Sequence, residues 1–196
     1  VQHLYRNRPF PIRAVHLYRK VGYLILDGIA LPMQNYDTKW GGQSVNELFA
    51  HHTDRMPLLY KQLMQGDELP LAPQAAWKKL GAIYVFFHNG KAEHVGRTRN
   101  LQSRIRGHLS DSHYSASFAF KQTRRELSLV ATYAPEGARA ALFAREDFRA
   151  AFRGQSLRLR GMTMQFLAVD CPIDQYLLEL YAAMELTLSL DEFDTH

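Results

Sequence analysis

Cysteine is almost missing from this chain: Cys171 is the one thiol in 196 residues. A single cysteine excludes an internal disulfide and any multi-cysteine zinc site, and it fits a reducing compartment. Taken alone, Cys171 reads as a buried, inert thiol. No apolar run approaches the roughly 20 residues needed to cross a bilayer. No charged-then-apolar leader opens the sequence. The expectation is therefore a cytoplasmic protein with no membrane partner. Repeats and low-complexity tracts are absent as well. Lys and Arg are missing from the whole stretch 161–196.

What is present is unevenly placed. Composition is ordinary for a folded protein, 46% hydrophobic, 22% charged and 12% aromatic, and the net charge is +5. Residues 97–160 hold 13 basic and 5 acidic side chains, a balance of +8, whereas 161–196 hold none and 7, a balance of −7. Two readings stay open. Either two solvated faces of opposite sign attract each other, or a polyanion track runs beside a carboxylate site able to hold a cation.

The first 75 residues read as an N-terminal extension packed on the core, with a domain over 76–196. Their charge, 8 basic to 6 acidic, is too even for a dedicated nucleic-acid grip. VGYLILDGIALP (21–32) is β-rich and ends on turn signals. Ser44 to Glu47 matches a capping box, so a helix is expected there. Residues 54–65 read as a second helix with Pro57 in its first turn. PLAPQ (70–74) is the linker candidate. His51 and His52 are adjacent, so on a helix they point to different sides, and a surface or partly packed role is expected for both.

Further on, AIYVFF and KAEHVG read as strands joined by His-Asn-Gly-Lys, a hairpin signal. Thr98 or Asn100 can cap a helix reaching Leu109, with Leu101, Ile105 and Leu109 as its apolar stripe. Arg104 and His108 are four apart, so their heads can serve one site. Two helices are predicted from FAFKQTRREL and GARAALFAREDFRAAFR, a strand from residues 162–170, and a long helix from Pro172 to about Leu188. Strands alternating with helices in one compact chain imply α/β (α+β) architecture.

One ordered set of residues carries chemistry. Gly81, Ala82, Ile83 and Tyr84 come first, then His94, Val95 and Gly96. Arg104 follows eight residues after Gly96, Glu179 lies in the helix YLLELYAAMEL, and Asp191 stands twelve residues beyond it. Over roughly 78–194 this set resembles the signature of the GIY-YIG nuclease family. The resemblance implies a small central sheet begun by a β-hairpin and flanked by helices. It also implies a metal-dependent endonuclease, a hydrolase of phosphodiester bonds in DNA, with RNA left open.

In that family's terms Tyr84 is the general base, Arg104 holds the phosphate through two parallel hydrogen bonds, and Glu179 binds one Mg2+ or Mn2+. An arginine beside a tyrosine favours its ionisation, so Tyr84 is expected to deprotonate more easily than a free phenol. His108 stands where restriction and homing members carry a histidine, able to orient the base or contact phosphate. His94 replaces a tyrosine and can itself serve as a base near neutral pH. Asp191 replaces an asparagine, and an anion there could serve as a second metal ligand or instead repel Glu179 and raise a pKa. Arg97, Arg99 and Arg106 would contact the backbone, with Lys121, Arg124 and Arg125 extending the track. A homodimer is one assembly by which such members cut both strands.

Each assignment has a plainer counterpart. Tyr84 could pack with Phe86, which shares its strand face, while Phe87 takes the other. Arg104 could be a solvated charge. Glu179, set among Leu177, Leu178, Leu180 and Tyr181, must face outward or have a partner, because an unpaired buried carboxylate costs several kcal/mol, roughly. The alternative for the whole chain is a non-cutting module derived from a nuclease and kept for binding nucleic acid.

Overall fold

The computed structural model describes residues 23–26, 29–32, 45–130, 132 and 134–189. The chain divides into two compact units, Val1–Leu48 and Phe49–His196. In the first, β1 (Tyr23–Leu26) and β2 (Ile29–Pro32) form an antiparallel hairpin. Helix α1 (Val45–Thr53) spans the division. The capping-box residue Ser44 lies outside the described residues.

The second unit is α+β. Its centre is a four-stranded antiparallel sheet in the order β3-β6-β4-β5, built from β3 (Leu69–Pro70), β4 (Ala82–His88), β5 (Lys91–Thr98) and β6 (Thr163–Ala168). The hairpin turn between β4 and β5 is left-handed at both central residues, with Asn89 at φ 51 and Gly90 at φ 72. Asn-Gly is the pair that adopts this turn at least cost, and its twist matches that of the strands it joins. Residues 70–74 are only partly connector. Leu69–Pro70 pairs with β6 as an edge strand, where a proline costs no ladder bond, and Leu71 is buried.

Strand alternation sorts the core into two layers. Ala82, Tyr84 and Phe86 face α3 (Leu101–His108), with Trp77, Phe118, Leu159 and Met164 completing that side. Ile83, Val85, Phe87 and Val95 face α2 (Met56–Met64) and α7 (Pro172–Glu185). β4 is therefore covered on both faces, which is why AIYVFF is apolar throughout rather than alternating. Pro57 and Pro172 each fall in the first turn of their helix, where a missing N–H costs nothing.

A third cluster gathers α4 (Ser117–Glu126), α5 (Arg139–Ala144) and α6 (Glu146–Arg160) around Phe120, Phe148 and Phe152. The single helix expected from GARAALFAREDFRAAFR is two. Arg145 is extended, at φ −73 and ψ 138. On one straight helix Leu142 and Phe148 would point about 120° apart. The break turns both into the same cluster. Among the described residues no helix is long and apolar enough to cross a membrane.

Candidate functional site

The site is assembled at the outer edge of the sheet, from the hairpin strands and the helix that follows them. Tyr84 sits in the middle of β4, opposite Gly96 on β5. Its ring crosses that glycine closely, and the next residue along the same face, His94, pairs with Phe86. α3 starts directly after β5. Asn100 caps it, its side chain accepting from Ser103 N at 3.1 Å. Leu101 and Ile105 anchor the helix in the core, which fixes Arg104 and His108 one turn apart over the phenol.

The phenol oxygen of Tyr84 has two partners. Arg104 Nε donates to it at 3.0 Å, and His108 Nε2 lies 2.9 Å away. Burial, Arg104 and His94 together push His108 well below the usual histidine range, so the ring is neutral at neutral pH. The consistent assignment is a chain in which Arg104 donates to the phenol and the phenol donates to His108 Nε2. That places the imidazole proton on Nδ1, a buried atom with no hydrogen-bond partner.

Tyr84 is completely buried. Phe86, His94 and His108 stand with ring centroids 5.0 to 5.9 Å from it, and Phe118 closes the cluster over His94 at 4.9 Å. This corrects the expected ease of ionisation. Burial raises the phenol's pKa, and the charge and hydrogen bond of Arg104 lower it only in part. The resting phenol is protonated. Arg104 is also more occupied than its proposed grip on phosphate assumes, because its NH2 donates to Ser117 Oγ at 3.0 Å. Ser117 is a site residue that carries no sequence signal of its own. Arg104 nevertheless borders an open pocket lined by Thr98, Arg99, Asn100, Ser103 and Gly107.

Glu179 projects from α7, which covers the opposite face of the sheet. It has the partner that its apolar neighbours in sequence demand. Arg97 Nε lies 2.9 Å from Glu179 Oε2, an ion pair by distance whose Nε–H makes no aligned hydrogen bond. The same guanidinium lies over the Tyr176 ring, its Cζ 3.5 Å from the centroid. Burial raises the Glu179 pKa, with Arg97 and then Arg104 pulling it back. The Glu179 charge in turn raises Tyr84. The carboxylate thus lies within electrostatic reach of both Arg104 and the phenol, although it packs on the other side of the sheet.

The remaining sequence candidates fall in different places. Arg99, Arg106 and Arg125 are exposed. Lys121 is half-buried. Arg124 is turned inward, its NH2 donating to the Gly137 carbonyl at 2.9 Å, so it belongs to the packing beneath α4 rather than to an exposed track. Arg97, expected on a nucleic-acid backbone, rests on Glu179. Asp191 lies outside the described residues.

A metal of the magnesium type takes oxygen ligands, often one or two carboxylates with water and substrate phosphate completing the shell. Glu179 supplies such an oxygen donor once Arg97 yields the carboxylate. No family model, curated protein or solved structure matches the chain.

One cluster escaped the sequence reading altogether. His52, expected at the surface or only partly packed, is buried, with Nδ1 2.6 Å from Asp174 Oδ1, while Arg55 NH1 holds Asp174 Oδ2 at 3.0 Å. Cys171 lies beside them. The partners are 122 residues apart, and no local spacing joins them.

Proposed function

We propose that the second unit is an endonuclease of the GIY-YIG type, hydrolysing phosphodiester bonds in DNA with help from a divalent cation. The observation that carries this reading is the phenol of Tyr84 held between Arg104 and His108, beside an open pocket that Arg104 itself lines. A scissile phosphate entering there meets the Arg104 guanidinium and the exposed Arg99 near the start of α3, a helix end that favours anions.

In the reaction, water forms the new P–O bond and one ester P–O bond breaks. Taking up the attacking water's proton requires substrate entry to open the buried phenol oxygen of Tyr84 to the pocket, and the phenol's own proton then moves along its hydrogen bond to His108 Nε2. Arg104 neutralises charge that develops on the phosphoryl oxygens. Glu179 would hold Mg2+ or Mn2+, whose chemistry is to stabilise the departing oxygen. Arg97, displaced from Glu179, becomes available to the backbone together with Arg99 and Arg106.

The test is incubation of the purified protein with supercoiled plasmid in magnesium, manganese or EDTA. Nicked or linear products that need the cation and vanish in Arg104→Ala support the reading. A second reading, a non-cutting nucleic-acid-binding module, draws on the complete burial of Tyr84 and on the Arg97–Glu179 pair. Salt-sensitive DNA binding without cleavage under any cation would select it.

A further inference from the structure

The His52, Cys171 and Asp174 side chains offer an imidazole nitrogen, a sulfur and a carboxylate oxygen that all lie within 4.8 Å of one another. We infer that these three residues bind a zinc-class transition-metal ion, at a place and with a donor set separate from Glu179. The inference stands whether or not the second unit cuts nucleic acid.

The donor chemistry selects the ion. Magnesium and calcium take oxygen, whereas a thiolate with an imidazole suits zinc or cobalt. A tetrahedral zinc holds its ligand atoms roughly 3.3 to 3.8 Å apart, given metal–ligand bonds of about 2.0 to 2.3 Å. The present set lies within about an ångström of that spacing, with His52 Nδ1 and Asp174 Oδ1 at 2.6 Å and all three donor atoms within 4.8 Å of one another. Side-chain shifts of about an ångström therefore close it.

Two of the donors are buried, Asp174 at 2% and His52 at 8% exposure, while Cys171 is partly open. An ion can enter from the thiol side and keep water as a fourth ligand. A thiolate and a carboxylate together match the charge of a dication, and Arg55 adds one positive charge at the rim. Arg55, on the second oxygen of Asp174, supplies the outer contact that orients a ligating carboxylate.

Local backbone explains why the thiol is available. Cys171 is the N-cap of α7 but makes no side-chain cap bond, and Pro172 takes the next position. Cys171 and Asp174 are three residues apart across the first turn, so both face the same way, and α1 brings His52 to them. The ion would tie α1 to the start of the helix that carries Glu179, five residues beyond Asp174.

Chelator-treated protein titrated with Co2+ is the direct test. The expected result is one ion per chain with a thiolate-to-cobalt charge-transfer absorption that Zn2+ abolishes. Cys171→Ser should lose that absorption, and Glu179→Gln should keep it. On the unmutated chain, Zn2+ should slow iodoacetamide alkylation of Cys171 at least tenfold, which needs no variant to fold. Absence of the absorption in excess Co2+, its loss in Glu179→Gln, or an alkylation rate indifferent to Zn2+ would each overturn the assignment.

Discussion

Gly96 stands directly across the ladder from Tyr84, and a Cβ placed on it would lie 2.5 Å from the phenol oxygen. The backbone of Gly96 is not left-handed, so the ring's need for space, and not conformation, requires glycine there. Gly96→Ala should displace the phenol from Arg104 and His108 and destabilise the fold by about 1–3 kcal/mol, the usual range for overpacking a tight interior. Denaturant unfolding measures this, and parent-like stability would place the ring elsewhere.

Tyr84→Phe removes one oxygen and leaves the buried His108 Nε2 and the partly buried Arg104 Nε without that partner. Leaving such groups unsatisfied costs about 1–3 kcal/mol. On the nuclease reading, cleavage should fall by roughly two powers of ten or more, the scale of losing a well-placed electrostatic partner. A variant that cuts as fast as the parent moves the proton-accepting role to His94 or His108.

His108 supplies a pH signature of stability. Its pKa is depressed in the folded state and near 6.5 in the unfolded chain. Below about pH 6.5 the unfolded state therefore binds the extra proton, and stability declines as pH falls, by up to ~1.4 kcal/mol per pH unit. Above that pH His108 contributes no slope. Thermal melts of the parent and His108→Gln should diverge on the acid side alone. Coincident curves would mean that the folded protein protonates this ring freely.

Much of the frame could be read from sequence because local chemistry decides it. Asn89 and Gly90 take left-handed angles that few other pairs tolerate, Asn100 reaches its cap partner, and Pro172 sets the start of α7. The meeting of Arg104 and His108 follows from helical spacing. The break at Arg145 does not, since it depends on how Leu142 and Phe148 share a cluster with Phe120, which belongs to α4. The rise in the Tyr84 pKa was equally hidden. Sequence shows the arginine nearby but not the burial that outweighs it. Ser117 and the His52–Asp174 pair are products of tertiary packing alone.

On the nuclease reading, Glu179→Ala should abolish cation-dependent cleavage while DNA affinity stays within a few-fold, because the substitution releases Arg97 instead of removing a basic contact. Filter binding or fluorescence anisotropy with a duplex, read beside plasmid nicking, separates the two effects. Retained cleavage in magnesium would dismiss Glu179 as the ion's ligand.

If the protein binds nucleic acid as proposed, its affinity for DNA should fall steeply with salt, as neutralised phosphates release counterions. Removing Arg99 or Arg106 should lessen that slope by about one unit each, and Arg124→Ala should leave it unchanged while lowering the melting temperature. Titrations at several ionic strengths provide the comparison.

The Arg97–Glu179 pair has one more consequence. If Glu179 holds a divalent ion, the Arg97 guanidinium occupies the ion's place in the resting protein, and ion entry exchanges one positive charge for another. On the nuclease reading, a polyanion that draws Arg97 toward its backbone vacates the carboxylate, and an ion that claims the carboxylate frees Arg97 for the polyanion. Each ligand then strengthens the other by the same factor, as linkage requires. An enzyme wired this way is armed by its substrate and stays idle in cation alone.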